Sequence, residues 1–431
     1  MKYPQLGWFW PWLWLAGSGV PLDGGIPALA IVALAASASL PSDPMTIVTL
    51  RPQTSAAQSQ LTRAQTRFGF QLFAALLPTH THQNLFISPT SVAIALSMLY
   101  NGATGETQRA IAATLEITEI SLDDVNQVNA ALLQSLQTDS ASVHSRLVNS
   151  LWADQHLPLQ PTFVQRMQAD YQARVSLLDF GNSNAVATIN QWVKTQTEGR
   201  IPQIINQIQA DEALFLLNAI YFKGQWATPF DPTQTRDHPF TLPNGQQRSY
   251  PFMAQTGTYR YYETPTFQAV SIPYGDGRFS FNIFLPSPTV GLAGFYRELN
   301  AENWRQWTQQ MERRPGHLFL PRLRLASDVT LNEALQALGM GIAFDRNRAN
   351  FAQLTPQPAY VSRVKHATLV EVNEEGTTAA GTTAIGLGVR SAALPAAPFT
   401  LVVDRPFFCV IQEHRTGTLL FMGAIVNPMA P

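Results

Sequence analysis

The chain of 431 residues is long enough for two or three domains, yet only 13% of it is charged and its formal net charge is -1. That balance gives no general electrostatic pull toward nucleic acid or an anionic membrane, so neither nucleic acid nor a polyanionic glycosaminoglycan cofactor is expected. The short clusters Arg313-Arg314 and Arg346-Asn347-Arg348 read as solvated surface. The single cysteine, Cys409, excludes an intrachain disulfide and sits in an apolar, strand-like run that suits a buried thiol.

Residues Met1 to Gln60 differ in composition from the rest. Lys2 is the only positive charge before Arg51, and two apolar runs, Trp8 to Ala16 and Ile26 to Ala36, end at Ala36-Ser37-Ala38. The pattern fits an export signal over 1–38 with an A-x-A cleavage site, which would place the protein in a periplasmic or extracellular space. A membrane anchor and a start at Met45 are the alternatives, the latter leaving the protein in the cytoplasm. Residues 39–60 read as a disordered leader.

From Leu61 the elements are regular. Leu61 to Leu77 has helical spacing, with Phe68, Leu72 and Phe73 on one face. In Asn84 to Tyr100 a short strand passes into a helix, with Ser88 as N-cap, Pro89 in the first turn and Gly102 as the stop. Helices follow at Glu106 to Leu115 and Pro161 to Tyr171, around a strand at Leu147 to Asp154. Ala185 to Thr197 places Val186, Ile189, Trp192 and Val193 on one stripe, as a helix packed across a sheet requires. Ala213 to Phe222 is apolar apart from Asn218 and suits a strand covered on both faces. Asn218 in its middle must find partners there, because an unsatisfied buried amide costs about 1 to 3 kcal/mol. Strands follow between Phe240 and Pro286 and at Leu318 to Leu325, then a helix at Val329 to Gly339 and a strand at Val361 to Val372. The apolar tail, Phe399 to Asn427, reads as strands turning at Arg415-Thr416-Gly417. Helices come mostly early and strands late, which makes this an α+β fold with large antiparallel sheets in one unit, 61–431.

Between the last two strand regions lies Glu371 to Ser391. From Gly376 to Val389 it has no charge and no proline, and Gly, Ala and Thr dominate. A flexible linker is the plain reading of such a stretch, but only a short tail follows it. With a period of two, Thr377, Ala379, Gly381, Thr383, Ile385 and Leu387 form one small-to-apolar face, so the segment is as compatible with a buried strand as with an exposed loop. No nucleophile elbow, zinc-protease helix, phosphate-binding loop or dinucleotide fingerprint is present. The His80-Thr81-His82 pair has no acidic or cysteine company, so no metal or other cofactor is expected and an enzyme is the remote alternative.

Several stretches carry a resemblance: Asn84 to Pro89 with Ser91, Thr188 to Val193, Thr197 to Ile201, Leu217 to Gly224 with Trp226, Leu338 to Met340, Glu371 to Thr377, Asp404 to Phe407 and Phe421 to Gly423. Together they resemble the serpin family, from about Leu61 to Pro428. The resemblance implies three β-sheets with eight or nine helices and an exposed reactive-centre loop, here about 374–398. It implies a monomeric suicide substrate that traps a serine protease as a covalent acyl complex. Glu374, Glu375, Gly376 and Thr377 resemble the hinge of inhibitory members, and Thr378, Ala379, Ala380, Gly381 and Thr382 continue the inserting tract. Counting on at the family's hinge length makes Arg390-Ser391 the scissile bond, and an Arg there implies a trypsin-like target. By similarity Ser88, Ser91, Asn218 and His366 form a polar cluster beneath the point where the main sheet opens, with Trp226 near the top of the gap. A shift of register in the Pro/Ala-rich segment after Ser391 would make Leu387 or Leu394 the recognised residue, and the target chymotrypsin- or elastase-like. Inhibition of a cysteine protease, and a non-inhibitory binding or chaperone-like role, are further alternatives.

Overall fold

The computed structural model describes residues 52–140, 142–209, 212–376 and 397–429. The strands in chain order are β1 (Leu85–Ile87), β2 (Thr138–Asp139), β3 (Val143–Asp154), β4 (Arg174–Leu178), β5 (Leu214–Gly224), β6 (Arg236–Thr241), β7 (Gln247–Glu263) and β8 (Phe267–Tyr274). They continue with β9 (Phe279–Pro286), β10 (Glu312–Pro321), β11 (Leu323–Thr330), β12 (Arg363–Val372), β13 (Phe399–Val402), β14 (Phe407–Glu413) and β15 (Leu419–Ile425). The longer helices are α1 (Pro52–Leu76), α2 (Pro89–Gly102), α3 (Gly105–Thr114), α4 (Leu122–Leu136), α5 (Pro161–Tyr171) and α6 (Ala185–Gln196). Three short ones, α7 (Gly291–Phe295), α8 (Ala301–Gln309) and α9 (Asn332–Leu335), bring the described total to nine.

A six-stranded sheet runs β11-β12-β5-β3-β2 with β4 also on β3, and a nine-stranded one runs β1-β15-β14-β9-β8-β7-β10-β13 with β6 on β7. The α+β architecture is as expected, but the three expected sheets form two hydrogen-bonded networks. The reason is β7, whose 17 residues pair in turn with β6, β10 and β8. At about 3.4 Å per residue such a strand is long enough to serve two sheets at once.

Central strand β5 is buried along nearly its whole length. On one side Phe215, Leu217 and Ala219 pack in a cluster with Ile189 and Val193 of α6, the stripe expected of that helix. On the other, Leu216, Ile220 and Phe222 join the main core, against which α2 packs. Ser88 caps α2 as expected, its hydroxyl accepting from Ser91 N.

Three boundaries depart from the expectation. Helix α1 starts at Pro52, so 52–60 is helical and not disordered, with Ala57 packed on the core and Leu61 buried within it. The strand expected over Leu318 to Leu325 is two strands, because Pro321 ends β10 and, after Arg322, whose N–H still donates to Pro251 O of β7 at 2.9 Å, the chain passes into β11 of the six-stranded sheet. Val329 belongs to β11 and not to a helix. Its burial alternates with its neighbours at period two, and the helix that follows has only four residues before Gly339 turns the chain at φ 105°.

Candidate functional site

Strands β5 and β12 are parallel and paired from Phe215↔Arg363 to Tyr221↔Leu369. Above that point they part: among the described residues Val370 to Val372 pair as strand only with β11, and Phe222 to Gly224 only with β3. The gap is closed at its top by Asn373 to Gly376. Asn373 N donates to Gly376 O at 2.7 Å and Gly376 N to Asn373 O at 3.1 Å, which folds the chain back on itself. Gly376 also forms an antiparallel bridge to Gln225, just beyond β5. One residue therefore sits between the continuations of both strands, antiparallel to each.

Only glycine fits there. Its φ is 124°, and a Cβ would lie 2.1 Å from Gly224 O and 2.5 Å from Gln225 Cα. Glu375 O accepts from Trp226 N at 3.0 Å and Glu374 O from Phe230 N at 2.7 Å. Trp226 is buried, stacks on Tyr274 with ring centroids 4.4 Å apart, and donates its indole N–H to Asn373 O at 2.8 Å. The Glu374 carboxylate turns inward. Arg322 grips it through Nε at 2.9 and 3.0 Å and Nη2 at 2.7 Å, and Thr235 Oγ1 donates to it at 2.6 Å. Burial would push this carboxyl up, but the hydrogen bonds from Arg322 and Thr235 and the guanidinium charge outweigh it and hold it below the usual range.

Lower in the sheet, His366 of β12, Asn218 of β5 and Asn149 of β3 lie directly opposite one another, facing the start of α2. His366 Nε2 accepts from Ser88 N at 2.8 Å, so its proton is on Nδ1, which donates to Asn218 Oδ1 at 2.6 Å. Ser91 Oγ donates to the same Asn218 oxygen at 2.8 Å, and Asn218 Nδ2 donates to Asn149 Oδ1 at 2.7 Å. Burial pushes His366 down to about 3, against a weaker opposing effect of its bond to Asn218, so the ring is neutral. Asn218 thus finds the partners its burial demands.

Ser88, Ser91, Asn218 and His366 come together, and Trp226, Glu374, Glu375 and Gly376 form a second group above them. Arg322, Thr235, Tyr274 and Asn149 belong to these groups and escaped the sequence reading. Thr377, Thr378, Ala379, Ala380, Gly381, Thr382, Arg390 and Ser391 lie outside the described residues. The chain is described again from Ala397, whose carbonyl accepts from Arg314 Nε at 2.8 Å before β13 pairs with β10. Cys409 is fully buried, and burial pushes its thiol up, away from nucleophilic use.

The fold and site define a class: an α+β unit whose central strands are parallel neighbours, with the chain leaving one of them through a turn seated between the two. The chain belongs to the serpin family. The family model described as serpin (serine protease inhibitor) matches residues 63–428. The leukocyte elastase inhibitor of Homo sapiens is 32% identical over 382 residues, covering 86% of this chain and 100% of that protein. Plasminogen activator inhibitor 1 of Sus scrofa is 33% identical over 384 residues, covering 86% and 93%. Among solved structures, the thermophilic serpin tengpin in its native state matches with a TM-score of 0.77 at 26% identity, over 86% of this chain and 94% of that one.

Proposed function

We propose that this protein inhibits serine proteases as a suicide substrate, trapping the acyl-enzyme when its cleaved loop enters the six-stranded sheet between β5 and β12. The observation that carries the reading is the seat of Gly376, bridged antiparallel to both Asn373 and Gln225. A chain returning from β12 through this turn runs antiparallel to β12, and because β5 is parallel to β12 it runs antiparallel to β5 as well. Insertion therefore exchanges one parallel ladder for two antiparallel ones, the more stable pairing per residue. The remaining gain is burial of the loop's alternate face, which is why that face is small and uncharged.

We assign the scissile bond to Arg390-Ser391 and the target to a trypsin-like enzyme. Two relatives of nearly equal identity are named for different proteases, an elastase and a plasminogen activator, so the target is a property of the loop and not of the family. The inhibitor unit is taken as 61–431 together with the preceding turns of α1 from Pro52, acting as a monomer. The segment 1–38 is taken as an export signal, which determination of the mature N-terminus tests; among the described residues no helix is long and apolar enough to cross a membrane.

Incubation with trypsin followed by denaturing electrophoresis and mass mapping tests the central claim. A covalent complex and a released peptide beginning at Ser391 are expected. Cleavage without a complex would instead favour the non-inhibitory binding role, and a complex formed only with elastase or chymotrypsin would move the scissile bond to Leu387 or Leu394.

A further inference from the structure

On the nine-stranded sheet, Arg313 of β10 lies directly opposite Arg260 of β7, and Arg260 directly opposite Ser271 of β8. Directly opposed residues share a face with Cβ atoms about 5 Å apart, so two guanidinium groups and a hydroxyl are presented in one row. Like charges in such positions destabilise a ladder. Among the described residues no carboxylate pairs with either arginine, although neighbouring ones are neutralised: Arg314 by Glu263 at 3.1 Å and Arg278 by Glu413 at 2.9 Å. Among the described residues Arg260 is steadied by a backbone oxygen alone, its Nη2 donating to Thr308 O at 2.8 Å.

The row borders a cavity of about 440 Å³ that Thr258, Ser280 and His414 also line. Ser271 lines the same space, and its hydroxyl has no hydrogen-bond partner among the described residues. His414 Nε2 is 2.8 Å from Ser280 Oγ. Burial first, then the charge of Arg260, holds this imidazole below its usual range, against the opposing effect of Glu413. Two guanidinium groups without a carboxylate partner, a hydroxyl without a hydrogen-bond partner and an imidazole lowered first by burial and then by the charge of Arg260 line one space.

We propose that Arg260, Arg313 and Ser271, with Thr258 and His414 at the margin, bind a small tetrahedral oxyanion, the phosphate or sulfate group of a sugar-sized ester. Guanidinium groups match such oxyanions through paired N–H donors, and the cavity is of the size that small ligands occupy. The site lies on the other sheet from the hinge and does not depend on loop insertion.

The intact protein is titrated with glucose 6-phosphate and with glucosamine 6-sulfate, following heat by calorimetry and the His414 ring by NMR. Saturable binding is expected, with the titration midpoint of His414 moving upward as the anion offsets Arg260. Arg260→Gln and Arg313→Gln, both on exposed residues, should each weaken binding about tenfold, the loss of one charge-assisted hydrogen bond. Binding of one ester alone supports the site and identifies its source. Failure of both esters to saturate, or a double variant that binds as tightly as the parent, would overturn it.

Discussion

Replacing Gly376 with alanine tests whether the seated hinge is the first rung of the inserting strand. The new Cβ would meet Gly224 O at 2.1 Å in a backbone conformation of φ 124°. Holding a non-glycine residue in such a conformation costs about 1 to 3 kcal/mol before the clash is counted. The clash is with backbone and cannot be relieved by turning a side chain, so the hinge must leave its seat. It then gives up the bonds Asn373 N to Gly376 O, Gly376 N to Asn373 O and Trp226 N to Glu375 O. At about 1 kcal/mol each these sum to about 3 kcal/mol. If half of that falls on the barrier to insertion, insertion slows about tenfold. Insertion competes with deacylation, so Gly376→Ala should consume several inhibitor molecules per trypsin inactivated, read by titrating residual protease activity and by the cleaved, uncomplexed band on a denaturing gel. A variant with parental stoichiometry and parental rate would refute the idea that seating primes insertion.

Thr377→Arg should convert inhibitor to substrate. Continuing the seated register into an inserted strand would set residue 377 beside Val372 and Gly224, where the rings of Phe222 and Tyr274 crowd Gly224 and an Arg would have to bury its charge; a stable complex in this variant would count against insertion. Arg390→Ala should abolish inhibition of trypsin-like enzymes in a residual-activity assay, and unchanged inhibition would place the cut elsewhere. Acid should destabilise the uncleaved protein through His366. Its folded value of about 3 lies below the unfolded one near 6.5, so the unfolded chain binds the extra proton between them and stability falls by up to about 1.4 kcal/mol per pH unit on going down through that window. Denaturant midpoints measured from pH 7 to 4 should therefore fall less steeply in His366→Gln, and parallel slopes would remove His366 as the cause.

Much of this could be read from the chain because it is local. Ser88-Pro89 at a helix start, the largely apolar run of β5 and the stripe of α6 each declare their structure within one turn or a few residues. Asn218 announced that it needed partners, though not which ones, since Ser91, Asn149 and His366 are brought to it by three different elements. Arg322 and Thr235 were illegible for the same reason. They reach Glu374 from 52 and 139 residues away, and a lone Arg after Pro321 looks like any other surface residue in sequence. Arg313 was read as solvated surface, and only the β7–β10 register sets it against Arg260. The misjudged start of α1 has another cause: 52–60 is polar and poor in long apolar side chains, and its helix is held by Ala57 and Leu61 docking on the core.

The two bridges of Gly376 fix a register independently, and they agree. Antiparallel continuation from Asn373↔Gly376 on one side and from Gln225↔Gly376 on the other brings Thr383 opposite both His366 and Asn218. In the uncleaved protein His366 Nδ1–H donates directly to Asn218 Oδ1 at 2.6 Å. A strand inserted between them sets β5 and β12 about 9.6 Å apart, two interstrand spacings, and that bond cannot survive. A hydroxyl in the row can accept from His366 and donate to Asn218, which valine of the same shape cannot. Thr383→Val therefore leaves two buried polar groups unsatisfied in the inserted form alone, at about 1 to 3 kcal/mol each. Melting curves should show the cleaved variant losing stability while the uncleaved variant melts with the parent, and Thr382→Val, on the opposite face, should spare both forms. Equal melting of cleaved parent and cleaved Thr383→Val would mean that the inserted strand takes another register, or none.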